Sequence, residues 1–196
     1  MEKTATIRPY QQKDYENLRE VCFVTATPPY NKNKDITAAL FCEYYLNYEG
    51  EHCFVVADQD DNAVGYILCA PDYTEFVKKF TKYQLPIVRK LSFKEYVLHK
   101  LEFMYNKKVA KDYPAHLHID IMPDFQRMGM GKKLVDALMA HLNSIGVQKL
   151  HLGCGASNEK GTSFYKKIGF HIVKTVVGVN IFGVDVHKYV EDNKLI

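Results

Sequence analysis

The chain has 196 residues, 47% of them hydrophobic, and a formal net charge of +3. It can bury one substantial core, and its mild, evenly spread charge gives no argument for a nucleic-acid partner. The five cysteines, at 22, 42, 53, 69 and 154, are odd in number and form no C-x-x-C pair, the usage of free thiols in a reducing compartment. The N-terminus lacks the apolar run of a signal peptide and no later stretch approaches membrane-spanning length, so a soluble, cytoplasmic protein with no membrane partner is expected.

Residues 4–8 read as a first strand closed by Pro9, and residues 14–22 as a helix with Leu18, Val21 and Cys22 on one face. Residues 25–34, with Pro28-Pro29 inside, read as a loop. A second helix is expected over 35–48, with Ile36, Leu40 and Tyr44 on one face, Asp35 as its cap and Gly50 as its stop. Two apolar runs, 53–57 and 64–69, flank Asp58-Gln59-Asp60-Asp61-Asn62 and predict an antiparallel hairpin. Residues 71–113 turn lysine-rich and aromatic and predict two or more helices broken near Pro86. Phe76 with Phe80, and Val97 with Leu101 and Met104, read there as packing stripes, and the lysines as a solvated face.

The centre of the chain is a strand, a glycine-bearing turn and an amphipathic helix. His116-Leu117-His118-Ile119-Asp120-Ile121 alternates, and Leu134, Leu138, Leu142 and Ile145 recur at helical spacing. Between them, Gly129 and Gly131 let the backbone approach a bulky partner, and first-turn N–H groups without intrahelical acceptors can hold phosphate. Arg127, Lys132 and Lys133 add positive charge around those donors. A tight connection with no ligand would look the same. The dinucleotide pattern fails because Leu134 stands where glycine or alanine is needed; the Walker pattern fails at Gln126 and Lys133. Downstream, residues 149–152 read as a strand, Ser157 or Asn158 caps a helix with Phe164 and Ile168 facing the core, and Gly169 ends it. Tyr165 points about 100° away from Phe164 and so towards a cleft. Residues 170–176 and 181–189 close the chain as a hairpin turning between Val177 and Asn180. No repeat, low-complexity tract or linker divides the chain.

Three groups of residues carry a resemblance: Ile7-Arg8-Pro9 with Asp14; Ile121-Met122-Pro123 leading into Gln126-Arg127-Met128-Gly129-Met130-Gly131; and Asn158 followed by Phe164-Tyr165-Lys166-Lys167-Ile168-Gly169-Phe170. Together they resemble the GCN5-related N-acetyltransferase (GNAT) superfamily over nearly the whole length. The run from Tyr113 to Ile121 resembles the acetyltransferase-like domains associated with O-GlcNAcases. The resemblance implies an α/β (α+β) GNAT fold over 1–196 as a single domain: a mixed, mostly antiparallel, twisted sheet of about seven strands flanked by helices. A helical insertion, about 71–113, would lie between the third and fourth strands. It further implies that acetyl-CoA, the acyl-donor cosubstrate, lies in a gap between splayed fourth and fifth strands. Backbone groups of Ile119 and Ile121 would pair with its amides. The amides of Gln126, Arg127, Met128, Gly129, Met130, Gly131 and Lys132 would hold its pyrophosphate, and Asn158 and Tyr165 would complete the cofactor site.

Acetyl transfer to an amine needs a neutral nucleophile, donors for the oxyanion and a proton for the leaving thiolate. Tyr165, at its family position, is the candidate acid. His116, His118 and Asp120 share one strand face, which suggests a wet cleft, and Asp120 or His118 is the candidate base. The competing reading of each is a solvated or hydrogen-bonded sheet face. His116-x-His118-x-Asp120 can also be read as a zinc site, but ligands at strand spacing rise about 6.6 Å per pair and diverge from one centre, so no metal is expected. Cys154 reads equally as a covalent nucleophile or a small buried residue, and is left out. The acceptor is expected to be a small-molecule or peptide amine bound between residues 25–34, the insertion and the last hairpin, by a monomer or homodimer. A catalytically silent acetyl-CoA-binding or protein-interaction module of the same fold is the alternative.

Overall fold

The computed structural model describes residues 4–195. The opening strand β1 (Ala5–Pro9) is tied to the turn that follows it, because Arg8 donates to both carboxylate oxygens of Asp14 at 2.7 and 2.8 Å and Asp14 is 1% exposed. The family-like Arg8-Pro9 and Asp14 are thus a structural clamp. Helix α1 (Tyr15–Thr25) continues three residues past its expected end. The single helix expected over 35–48 is instead two, α2 (Lys34–Phe41) and α3 (Glu43–Tyr48), because Cys42 leaves helical geometry at φ −131°. Asn33, not Asp35, caps α2: its side chain accepts from the N–H groups of Asp35 and Ile36, satisfying donors that the first turn leaves free.

The hairpin is as expected: β2 (Phe54–Asp58) and β3 (Ala63–Ala70) flank a turn in which Asp58 accepts from the Asp60 and Asn62 N–H groups. The insertion comprises α4 (Tyr73–Lys79), a π-turn at Phe80–Gln84, α5 (Leu85–Leu91) and α6 (Phe93–Ala110). Pro86 does not break it. It sits in the first turn of α5, where a missing N–H removes no helical bond, and the break falls at Ser92, which caps α6. The stripe expected to pack fails as well: Val97, Leu101 and Met104 are 40, 42 and 71% exposed, while α6 buries His99 and Val109.

After β4 (Ala115–Ile121) and a 3-10 turn at Pro123–Phe125 comes α7 (Met130–Ser144), which buries Leu134, Leu138 and Leu142; Ile145 lies just past its end and is exposed. Then follow β5 (Lys149–Gly155), α8 (Glu159–Lys167), β6 (His171–Val176) and β7 (Val179–Asp185). The final strand ends earlier than expected. Asp185 accepts from the Lys188 N–H and starts α9 (Val186–Asp192), whose Val186, Tyr189 and Val190 are buried at helical spacing.

The seven strands form one sheet in the order β1-β2-β3-β4-β5-β7-β6, antiparallel throughout except at β4 and β5. Strand parity divides its side chains between two cores. Val55, Tyr66 and Leu68 pack with α1 to α5 on one face; Val56, Ile67, Leu117 and Leu150 pack with α7 and α9 on the other. Burial of this apolar surface on both faces supplies the main driving force for the fold. All five cysteines are free and buried, and no described helix is long and apolar enough to cross a membrane.

Candidate functional site

The parallel ladder between β4 and β5 holds only two register pairs, Ala115 with Leu150 and His116 with His151. Beyond them the strands separate, and the β5-facing edge of Leu117 to Ile121 borders a gap. β3 pairs with β4 on its other side through Ile121, so the strand stays fixed there. The gap opens into a cavity of about 720 Å³, a size ordinary for small-molecule sites. Its walls come from α1, the 26–30 loop, α6, β4, β5 and the tip of the last hairpin.

Strand parity assigns the faces of β4 as the alternation requires. Ile119 and Ile121 pack towards α7, and His116, His118 and Asp120 line the cavity. The three polar residues do not share one environment. His116 is boxed by aromatic rings, with centroids 4.3 Å from Phe76 and 5.2 Å from Tyr73, and the Tyr45 hydroxyl is 2.9 Å from its Nε2. Burial, then the neighbouring histidines 151, 118 and 99, push its pKa well below the ordinary value, so it is neutral. His151, stacked on it, donates from Nδ1 to the Tyr113 carbonyl at 2.7 Å and is also pushed down by burial.

His118 and Asp120 are joined by a residue from β3. The Tyr66 hydroxyl donates to Asp120 Oδ2 at 2.9 Å and lies 3.1 Å from His118 Nδ1. Because its one proton goes to Asp120, the hydroxyl oxygen can only accept from His118, which assigns the imidazole proton to Nδ1 and leaves the Nε2 lone pair available. Phe41 stacks on the His118 ring at 5.6 Å and 11° and fixes its plane. Burial raises the Asp120 pKa above its ordinary value, opposed by His118, the Tyr66 hydroxyl and Thr25.

Tyr165 lies behind the gap on α8, its ring 5.3, 5.9 and 5.4 Å from those of Phe164, Phe170 and Phe182. It is therefore packed among aromatics on the α7 side and does not line the cavity wall. Burial raises its pKa, with Cys154 and Asp120 adding to the effect. Burial likewise pushes the Cys154 thiol up, which makes it a poor nucleophile.

The turn before α7 divides its tasks differently from the sequence reading. Gly129 is left-handed at φ 78° and precedes the helix, with open space around it, whereas Gly131 is needed for packing, since a Cβ there would stand 3.2 Å from Phe164 Cζ. The first helical bond runs from the Lys133 N–H to the Gly129 carbonyl, so the N–H groups of Met130, Gly131 and Lys132 lack intrahelical acceptors. Gln126 is engaged inside the loop: its N–H bonds to the Pro123 carbonyl and its side-chain amide to the Ile121 carbonyl at 2.9 Å. Arg127 is left-handed and exposed, and Met128 packs against the α7 core. Lys132 turns away to Asp136 at 2.6 and 2.8 Å, so its charge is already paired. Asn158 caps α8 by accepting from the Gly161 N–H at 2.9 Å and also lines the cavity.

The glycine-bounded turn, its outward N–H groups and the strand gap suit an extended pyrophosphate-bearing thioester. Among the described residues no group of three or more His, Cys, Asp or Glu side chains converges as a metal site would. Sequence reasoning missed Tyr66, His151, His99 and Glu102. Only register would have found Tyr66, which stands directly opposite Asp120 in the β3–β4 ladder.

Comparison with known proteins agrees with this architecture. The model of the acetyltransferase (GNAT) family matches residues 13–170. Protein O-GlcNAcase of Rattus norvegicus is 23% identical over 190 residues, 88% of this chain and 21% of that protein. The ribosomal-protein-bS18-alanine N-acetyltransferase of Salmonella typhimurium is 36% identical over 64 residues, 33% of this chain and 43% of that protein. The chain thus spans less than half the length of these curated relatives. The crystal structure of SsHAT superposes with a TM-score of 0.85 at 32% identity, covering 93% of this chain and 98% of that one. A family match across most of the chain, and a structure of nearly the same extent at that identity, suffice to place it: the chain belongs to the acetyltransferase (GNAT) family.

Proposed function

We propose that the chain is an N-acetyltransferase that moves the acetyl group of acetyl-CoA, the family's acyl donor, directly to a primary amine. The observation that carries this reading is the His118–Tyr66–Asp120 chain, set on the cavity side of β4 beside the opening to β5. Acetyl-CoA supplies the acyl carbon and, after transfer, a thiolate.

The N–H groups of Met130, Gly131 and Lys132, with those of Arg127 to Gly129 ahead of them, hold the diphosphate; Gln126 shapes the loop. The free edge of β4 at Ile119 and Ile121 orients the pantetheine arm, and Asn158 borders it. His118 takes the amine's proton at Nε2, and the resulting imidazolium is stabilised through Tyr66 by the Asp120 carboxylate. Tyr66 is a positioning residue. Tyr165 lies off the cavity wall, behind the gap between β4 and β5; kept protonated by its raised pKa, it would meet the developing thiolate in that gap and hydrogen-bond to it there. Full transfer to a thiol of pKa ~8.5 is uphill for such a phenol, so its contribution is charge stabilisation first and proton donation last.

Thiol release from acetyl-CoA across a panel of primary amines tests the reading. Turnover that is lost in His118→Ala and strongly reduced in Tyr165→Phe supports it. The 88% coverage by a relative not named as an acetyltransferase favours a second reading, a silent acetyl-CoA-binding module. CoA-dependent thermal stabilisation with no transfer to any amine would select that one, and absence of stabilisation would count against both.

A further inference from the structure

Three of the exposed apolar residues of α6, Leu98, Leu101 and Tyr105, share a helix face with two polar ones. Leu98, Leu101, Glu102, Tyr105 and Asn106 follow one another at spacings of three, one, three and one, which places them on a single helix face, and all five line the cavity. A face of this kind normally packs on a core; here it looks across open space at His116, His118 and Asp120.

The charge of that space is opposite to the charge of the chain. The protein has 26 lysines and arginines, yet the charged residues lining the cavity, among those described, are Glu102 and Asp120. Glu102 lines the cavity with a half-exposed side chain, its Oε2 3.2 Å from His99 Nδ1. The protein around it pushes the carboxyl up, but the His99 bond and the nearby His99 and His118 more than offset this, and its pKa is lowered. Two further polar atoms are left over. His99 Nε2 and His116 Nδ1 have no hydrogen-bond partner although their residues, 8 and 9% exposed, line the same cavity. An orphaned buried donor or acceptor loses the hydrogen bonds it had in water, and a polar ligand would restore them.

We propose that the α6 face selects the acceptor: Glu102 binds a second cationic group on an amphipathic diamine whose apolar body lies on Leu98, Leu101 and Tyr105. The inference rests on the reading of this cavity as the amine site. Asp120 is bound by Tyr66 at the reacting end, whereas Glu102 has His99 on Oε2 alone and a side chain that is half exposed, which leaves it able to meet the far end. Acidic acceptors are excluded by the same two carboxylates.

Calorimetric titration of hexamethylenediamine and hexylamine into the CoA-bound protein separates this inference from the question of turnover. The wild type is expected to bind the diamine at least about tenfold more tightly than the monoamine. In Glu102→Gln that ratio should fall about tenfold, and Glu102→Asp should restore part of it. Glu102 is half exposed on a helix surface, so the charge-neutral variant is expected to fold, and its thermal midpoint is measured alongside. Equal binding of the two amines by the wild type, no binding of either, or an unchanged ratio in the variant would overturn the inference. Diamine binding without thiol release would leave it standing while overturning the transferase reading.

Discussion

Replacing Tyr66 by phenylalanine deletes one oxygen atom and with it both hydrogen bonds that join His118 to Asp120, at 3.1 and 2.9 Å. The ring stays, and Phe41 still stacks on His118, so the cavity keeps its shape. What is lost is the acceptor that holds the imidazole proton on Nδ1, and the direct His118 Nδ1 to Asp120 Oδ2 separation of 3.6 Å is too long to replace it. A hydrogen bond to a charged group contributes about 1.5–3 kcal/mol. At about 1.36 kcal/mol per decade, kcat/KM for the amine should fall roughly ten- to a hundredfold. Asp120, deprived of a donor that lowers its pKa, should also titrate higher. Thiol release measured from pH 5 to 9, with KM for acetyl-CoA followed separately, checks this. A kcat/KM within twofold of wild type, or a loss confined to KM for acetyl-CoA, would refute the relay.

Tyr165→Phe should lower kcat by about a hundredfold or more, the order expected for losing a donor to developing negative charge, with KM for acetyl-CoA little changed; a change only in KM would make it a packing residue. His116 is buried neutral, its pKa depressed, so the unfolded chain binds the extra proton first as pH falls. Stability is therefore full above the ordinary histidine value near ~6.5 and declines from there towards the depressed value. Urea denaturation between pH 7 and 5 should show a shallower decline in His116→Phe, and an unchanged slope would assign the effect elsewhere. Gly131→Ala gains about 1 kcal/mol of helix propensity but presses a methyl to 3.2 Å from the Phe164 ring, at a cost of about 1–3 kcal/mol. The thermal midpoint should fall by about 2–4 °C per net kcal/mol, and a rise would show that α8 yields freely.

Much of this arrangement is legible in the sequence because it is local. The alternation from His116 to Ile121 assigns each side chain to its face, and the turn before α7 is bounded by glycines. What escapes is set by tertiary contact. Tyr66 belongs to an apolar run, and its partner lies 54 residues away, so only strand register reveals it. The exposure of Leu101 is invisible for a related reason: its spacing is that of a packed helix, and the cavity beside it is created by β4 and β5, not by α6. In α9 the error was one of period. Val186, Tyr189 and Val190 fit a helix, but an apolar run leading out of a strand reads equally as more strand. Pro86 misleads because its effect depends on whether it falls in a first turn, which the surrounding lysine-rich sequence does not mark.

The two cores on opposite faces of the sheet give the molecule a division that can be inherited separately. Helices α1 to α6 rest on one hydrophobic cluster and α7 with α9 on the other, so, on the proposed reading, substitutions that reshape the amine-facing wall would propagate into packing that the thioester-facing half does not share. Selectivity can drift while donor handling stays constant. A chimera that exchanges residues 71–113 between relatives should therefore swap acceptor preference and leave the dissociation constant for acetyl-CoA nearly where it was.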